Sequence, residues 1–137
     1  MLGSVEIADY MLKNPVTARP EMTVYEAARR ILENKVSGLV VIDERRQVLG
    51  MLSELDCLKV ILASVYNDEE FGSSLVGEVM TKSVEVQAPH DVIVDVANSM
   101  LDHKHRRRPV VQDGRLIGQV TCRQILNVVT TGLKEQK

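Results

Sequence analysis

Two short patterns in this chain carry side chains suited to holding a small molecule. Ser53-x-x-Asp56 and Thr121-x-x-Gln124 each place a hydroxyl three residues before a carboxylate or an amide. A carboxylate at the start of a helix can accept from adjacent hydroxyls such as those of a sugar. A hydroxyl beside the unbonded N–H groups of a helix N-terminus suits an anion. The same spacing is that of a capping box, in which the two side chains only satisfy the first turn of their helix. The two copies are not equal. Gln124 offers one neutral acceptor and two donors where Asp56 offers two anionic oxygens, so anything the first pattern holds, the second holds more weakly.

The concentrated positive charge is Lys104-His105-Arg106-Arg107-Arg108, which reads as a solvated turn, as guanidinium forks for a phosphate, or as a nucleic-acid patch. The last of these fits poorly. The net charge is −2, and the aromatics Tyr10, Tyr25, Tyr66 and Phe71 are too scattered for a base-stacking platform. His103-x-His105 is too sparse for a zinc site. Cys57 and Cys122 stand far apart without C-x-x-C spacing, and read as small apolar residues buried on helices. No nucleophile and base form a local motif, and neither a G-x-G-x-x-G nor a Walker loop occurs, so an enzyme is not expected.

What must position these residues emerges when the chain is laid against itself. Met11 falls on Met80, Lys13 on Lys82, Pro20 on Pro89, Ala28 on Ala97, Leu32 on Leu101, Lys35 on Lys104 and Val41 on Val110. The register then slips by one residue, and Gly50 falls on Gly118, Leu58 on Leu126 and Val60 on Val128. Each copy has an apolar stripe at helical spacing: Val24, Ala27, Ala28, Ile31 and Leu32, then Ile93, Val96, Ala97, Met100 and Leu101. Thr23-x-x-Glu26 marks the first helix start and Asp91 the second. Two apolar runs follow in each copy, Leu39 to Ile42 with Val48 to Leu52, and Pro109 to Val111 with Leu116 to Val120. They read as strand pairs, the second closed by an Asp113-Gly114 turn and the first by a looser loop at Glu44–Gln47. Ser53 and Thr121 then open the final helices.

The expected class is α/β (α+β): two pseudo-symmetric β-α-β-β-α repeats packed through their small sheets. Residues 1–66 form the first repeat with a helical lead-in, 67–74 an acidic, Gly/Ser-containing linker with Phe71 pinning it, 75–131 the second repeat, and 132–137 a tail after a helix stop at Gly132. A repeat of roughly 55 residues is marginal alone, so the pair is the stable object. With 137 residues, 45 % apolar and 26 % charged, the chain can build a core without disulfides or metals. No apolar run approaches the roughly 18 residues of a membrane-spanning helix, and the start has no signal-peptide pattern, which predicts a cytoplasmic protein without membrane insertion.

The chain resembles a tandem pair of cystathionine β-synthase (CBS) domains, a Bateman module. The likeness rests on Asp9-Tyr10-Met11 through Pro20 and Glu78-Val79-Met80 through Pro89. It continues in Lys35 to Val41 and His105 to Val111, and ends in Gly50-x-x-Ser53-x-x-Asp56 and Gly118-x-x-Thr121-x-x-Gln124. The resemblance implies a regulatory module that binds an adenine nucleotide (AMP, ADP or ATP) or S-adenosylmethionine in clefts between the copies, forms a homodimer and signals to an effector protein. It implies no catalytic cofactor and no metal. It assigns Ser53 to phosphate and Asp56 to ribose. With them, in the main cleft, it groups Ser83, Val84, Glu85, Arg106 and Arg107. Asn14, Pro15, Val16, Val36, Ser37, Gly38, Thr121 and Gln124 fall in a weaker cleft. Gln124 departs from the family's carboxylate. The competing reading is a dimerisation scaffold with empty clefts, and Ile61, Leu62, Ile125 and Val129 are the expected contacts of either.

Overall fold

The computed structural model describes residues 5–67 and 73–135, with side chains as far as residue 132. Along the chain run a 3-10 turn (Ile7–Asp9), β1 (Leu12–Lys13), β2 (Thr17–Ala18), α1 (Val24–Glu33), β3 (Gly38–Ile42), β4 (Val48–Ser53), α2 (Glu54–Tyr66), α3 (Val76–Val79), α4 (Ile93–His103), β5 (Arg107–Gln112), β6 (Arg115–Thr121) and α5 (Cys122–Glu135). The two repeats thus contain the expected helices and strand pairs in the expected order.

The compact units do not coincide with the sequence repeats. One, here the central unit, spans Pro15–Val84; the other, the terminal unit, joins the residues up to Asn14 to those from Glu85 on. The lead-ins are exchanged. In the terminal unit β1 pairs antiparallel with β6, Leu12 opposite Gln119, and the sheet order is β1-β6-β5. In the central unit Thr81 exchanges backbone hydrogen bonds with Met51 of β4, beside a β2-β3-β4 sheet. The cause is steric and local. A Cβ at Gly118 would lie 2.5 Å from Met11 Sδ and 3.0 Å from Leu12 O. One at Gly50 would lie 2.7 Å from both Met80 Sδ and Thr81 O. Each glycine therefore opens the sheet face on which the other repeat's lead-in lies.

Each unit has its own apolar core. Ala18, Val24, Ala27, Ile31, Leu39, Val41, Leu52, Cys57 and Val76 form that of the central unit. Ile7, Ile93, Val96, Met100, Val110 and Val120 form that of the terminal unit. The period-3.6 stripes of α1 and α4 supply the helical side, and every residue of β3 is buried.

Local signals behave as read, with four differences. Thr23 Oγ1 accepts from Glu26 N at 3.1 Å, capping α1. Asp113 and Gly114 both have positive φ, 52° and 77°, the requirement of a two-residue type I′ hairpin. Asp91 does not cap α4: the cap position is Val92, and Asp91 Oδ2 instead closes the preceding turn by accepting from Ala88 N at 2.9 Å. Cys122 is exposed, unlike buried Cys57, because it opens α5 at the surface, its Sγ donating to His105 O at 3.3 Å. The helix α5 continues through Gly132 to Glu135, so Gly132 is no stop. Of the linker, residues 68–72, Phe71 among them, lie outside the described residues. Arg108 does not belong to a solvated turn with Arg106; it is buried, 2 % exposed.

Candidate functional site

Both hydroxyl-led patterns are capping boxes. At α2, Ser53 Oγ accepts from Asp56 N at 3.1 Å while Asp56 Oδ2 accepts from Ser53 N at 2.9 Å. At α5, Thr121 Oγ1 accepts from Gln124 N at 3.1 Å and Gln124 Oε1 accepts from Thr121 N at 2.9 Å. The helix frame is the same; the residue chemistry is not. Asp56 spends one carboxylate oxygen on the cap, and no donor among the described residues reaches its Oδ1, a half-buried anionic acceptor at a helix start. Gln124 spends its single oxygen on the cap, with a further contact to Thr121 Oγ1 at 3.4 Å, and is left with Nε2, a donor. The functional role and the capping role are thus compatible at Asp56 and in competition at Gln124.

Strand pairing decides what lies beside each cap. In the central unit Gly38 pairs with Ser53, and Glu54 N donates to Ser37 O at 2.9 Å, so Val36, Ser37 and Gly38 adjoin the Ser53/Asp56 cap. In the terminal unit Arg107 pairs with Thr121, and Cys122 N donates to Arg106 O at 2.9 Å, so Arg106 and Arg107 adjoin the Thr121/Gln124 cap. The expected partnerships of Arg106 and Arg107 with Asp56, and of Val36 to Gly38 with Gln124, join residues of different units. Arg106 is exposed and Arg107 half-buried. Pro15 is buried and Val16 half-buried in the central unit, which also holds exposed Ser83 and half-buried Val84; Asn14 and Glu85 are exposed in the terminal unit. The chain passes between units inside both extended segments, at Asn14/Pro15 and at Val84/Glu85.

Burial, and secondly the charge of Asp56, push the Cys57 thiol pKa up, which makes it a core residue and a poor nucleophile. Among the described residues no three His, Cys, Asp or Glu side chains gather into a metal-holding cluster, and no helix is long and apolar enough to cross a membrane.

Two features escaped the sequence reading. One is an apolar groove of about 380 Å³ between α1 and α2, lined by Ala28, Ile31, Leu32, Leu55, Leu58 and Ile61. Leu32 is 65 % and Leu55 74 % exposed there. The other is the set of groups around buried Arg108. The repeat alignment carried its signal, since Arg108 falls on Leu39.

The family model for the CBS domain matches the chain twice, over residues 7–63 and 76–131. Among solved structures, CBSX2 from Arabidopsis thaliana is 28 % identical, with a TM-score of 0.84 over 96 % of this chain and 98 % of that one. The structure of CBSX2 in complex with AMP is 31 % identical, with a TM-score of 0.80 over 98 % of this chain and 100 % of that one. The CBS domain pair of MJ0100, solved with 5′-methylthioadenosine and S-adenosyl-L-methionine, shares the fold at 23 % identity, with a TM-score of 0.79 over 94 % of this chain and 99 % of that one. The curated relatives are longer, and the chain spans between 23 % and 42 % of the first of them. One is the inosine-5′-monophosphate dehydrogenase of Aquifex aeolicus, 33 % identical over 118 residues, or 85 % of this chain and 23 % of that enzyme. Two matched domains, the repeated frame and the two helix-start caps lead to one assignment: the chain belongs to the CBS domain family and carries two CBS domains in tandem.

Proposed function

We propose that the chain is a regulatory module that senses an adenine nucleotide and signals to a partner protein, without catalytic activity of its own. The observation that carries this reading is the clear Oδ1 of Asp56. A carboxylate already anchored by one oxygen presents the other in a fixed direction, and adjacent ribose hydroxyls are its natural donors. Ser53 and the start of α2 take the phosphate end, and Ser83 and Val84, held in the same unit, take the base. The residues assigned to this ligand thus come from both sequence repeats. The positive end of the α2 dipole favours a phosphate-bearing nucleotide over S-adenosylmethionine, whose sulfonium is positive. CBSX2, which binds AMP, supports the choice. Thr121 and Gln124 make the weaker set.

The exposed leucines of the α1/α2 groove favour a second component of the same reading, a homodimer seated on that face. Leu55→Glu/Leu58→Glu should convert a dimer to a monomer in light scattering.

Thermal shift tests the nucleotide reading. At about 100 times its Kd, AMP should stabilise the protein by about 2.7 kcal/mol, a rise of several degrees. The rise should vanish in Asp56→Ala and persist in Gln124→Ala. No shift with AMP, ADP, ATP or S-adenosylmethionine in nucleotide-free protein would leave the chain as a dimerisation scaffold.

A further inference from the structure

Buried Arg108 makes its hydrogen bonds to neutral groups. Nη1 donates to Gln87 Oε1 at 2.7 Å and to Ser99 Oγ at 2.8 Å, and Nη2 to Ser99 O at 3.2 Å. Nε donates to His105 Nδ1 at 3.3 Å, and Nη2 lies 3.3 Å from His103 Nδ1. Among the described residues no carboxylate is in this set. An indirect relation to one runs through Gln87 Nε2, which donates to Asp91 Oδ2 at 2.6 Å. A buried guanidinium is tolerated only while its donors are satisfied, and here two imidazoles complete the set.

The two imidazoles are not equivalent. His103 Nδ1 also lies 2.8 Å from the carbonyl of Ser99, so a proton on that nitrogen still finds an acceptor. His105 Nδ1 faces the Arg108 Nε–H, and it can accept only while the ring is neutral with its proton on Nε2. Protonation would set N–H against N–H beside a fixed positive charge. The ionisable groups acting on His105 are Arg108 and His103, which oppose its charge, and Glu85, which favours it. Cys122 reaches only its carbonyl.

The backbone at residue 105 ties two elements together. His105 N donates to Met100 O at 2.9 Å and closes the end of α4, where Lys104 adopts φ 58°. Arg106 O accepts from Cys122 N, the first residue of α5. A change at this turn therefore reaches the Thr121/Gln124 cap directly.

We propose that His105 is a proton-operated latch: neutral, it holds the buried Arg108 in place, and on protonation it releases the turn that joins α4 to β5 and steadies the start of α5. Burial first, then Arg108 and His103, lower the pKa of His105 below its ordinary 6.5. The unfolded chain thus binds the proton more readily than the folded one. The latch's contribution to stability is full above pH 6.5, falls as the pH drops through 6.5 toward the folded value, and does not fall further below it.

The test is a histidine-ring NMR titration of the whole chain from about pH 8 to about pH 5, paired with melting midpoints at each pH. In wild type, His105 should be the Nε2–H tautomer at neutral pH and titrate below an ordinary histidine. In Arg108→Leu its midpoint should rise toward the ordinary value. In His105→Gln, whose amide oxygen accepts from Nε without titrating, the acid-side loss of melting temperature should shrink. A His105 midpoint at or above the ordinary value, an Nδ1–H tautomer, or an undiminished acid loss in His105→Gln would overturn the latch. If Arg108→Leu does not fold, the wild-type tautomer and midpoint decide the matter alone.

Discussion

The central and terminal units carry the same frame with opposite interiors. Leu39 lies wholly buried among Ala18, Val41 and Ile31 in the central unit, and the equivalent slot of the terminal unit holds Arg108 at 2 % exposure. The exchange is not an isolated one. Where the central unit has Ala18, Arg30, Asn34 and Val36, the terminal unit has Gln87, Ser99, His103 and His105, all of them groups that meet the guanidinium. A buried charge is accepted only as a set, with its acceptors supplied together. The helix-start caps diverge in the other direction: the central unit keeps the charged member, Asp56, and the terminal unit has the neutral Gln124. One unit thus keeps its charge in a half-buried helix-start cap, and the other spends its charge on its own interior.

The largest effect should come from forcing one interior onto the other. Leu39→Arg places a guanidinium where no equivalent acceptor set exists, and should cost about 4 kcal/mol or more, enough to abolish cooperative urea unfolding of a marginal domain. A loss below about 1 kcal/mol would show that the central unit accepts the charge and that the acceptor set is dispensable. The reverse change, Arg108→Leu, should cost roughly 1–3 kcal/mol, because it leaves Gln87 Oε1 and Ser99 Oγ without their donor. Arg108→Leu/Gln87→Ala, which rebuilds the Leu39/Ala18 pair, should recover part of that loss in a double-mutant cycle.

The lead-in contacts sharpen the comparison at smaller scale. Gly50→Ala and Gly118→Ala should each destabilise by about 1–3 kcal/mol, with Gly50 the worse site. Both new methyl groups meet a flexible methionine sulfur. The carbonyl behind it stands at 2.7 Å at Gly50 and 3.0 Å at Gly118. Equal losses would mean that the methionines, not the backbone, set the fit.

The smallest effect belongs to the terminal unit's exposed pair, His90 Nδ1 with Glu6 Oε2 at 3.0 Å. The hydrogen bond to Glu6, then its charge, raises the His90 pKa above 6.5. Its slight contribution is therefore complete below pH 6.5 and lost as the pH rises through the folded value, the reverse of His105. In Glu6→Gln the ring's NMR midpoint should fall back.

Most of the frame was legible because its signals are local. Periodicity placed α1 and α4, Asp113-Gly114 the tight hairpin, and the two hydroxyl-led patterns the starts of α2 and α5. The exchange of lead-ins was not, since nothing within Met11 or Met80 says which copy's glycine it will cover. Arg108 does not stand out within a run of three arginines: adjacent strand residues point to opposite faces, and only the alignment with Leu39 shows that Arg108 rather than Arg107 faces the core. At the candidate site the residue types and the Asp56/Gln124 inequality were readable, and the adjoining segments were not, because strand register decides them.

Calorimetric titration of AMP into nucleotide-free protein tests the inequality of the two caps most directly, with Asp56→Asn as the control. Asparagine keeps an oxygen for the Ser53 N–H and removes only the second anionic oxygen. One AMP per chain, with binding lost in Asp56→Asn and kept in Gln124→Ala, is the expected result. Two equal sites per chain, or unchanged affinity in Asp56→Asn, would contradict it.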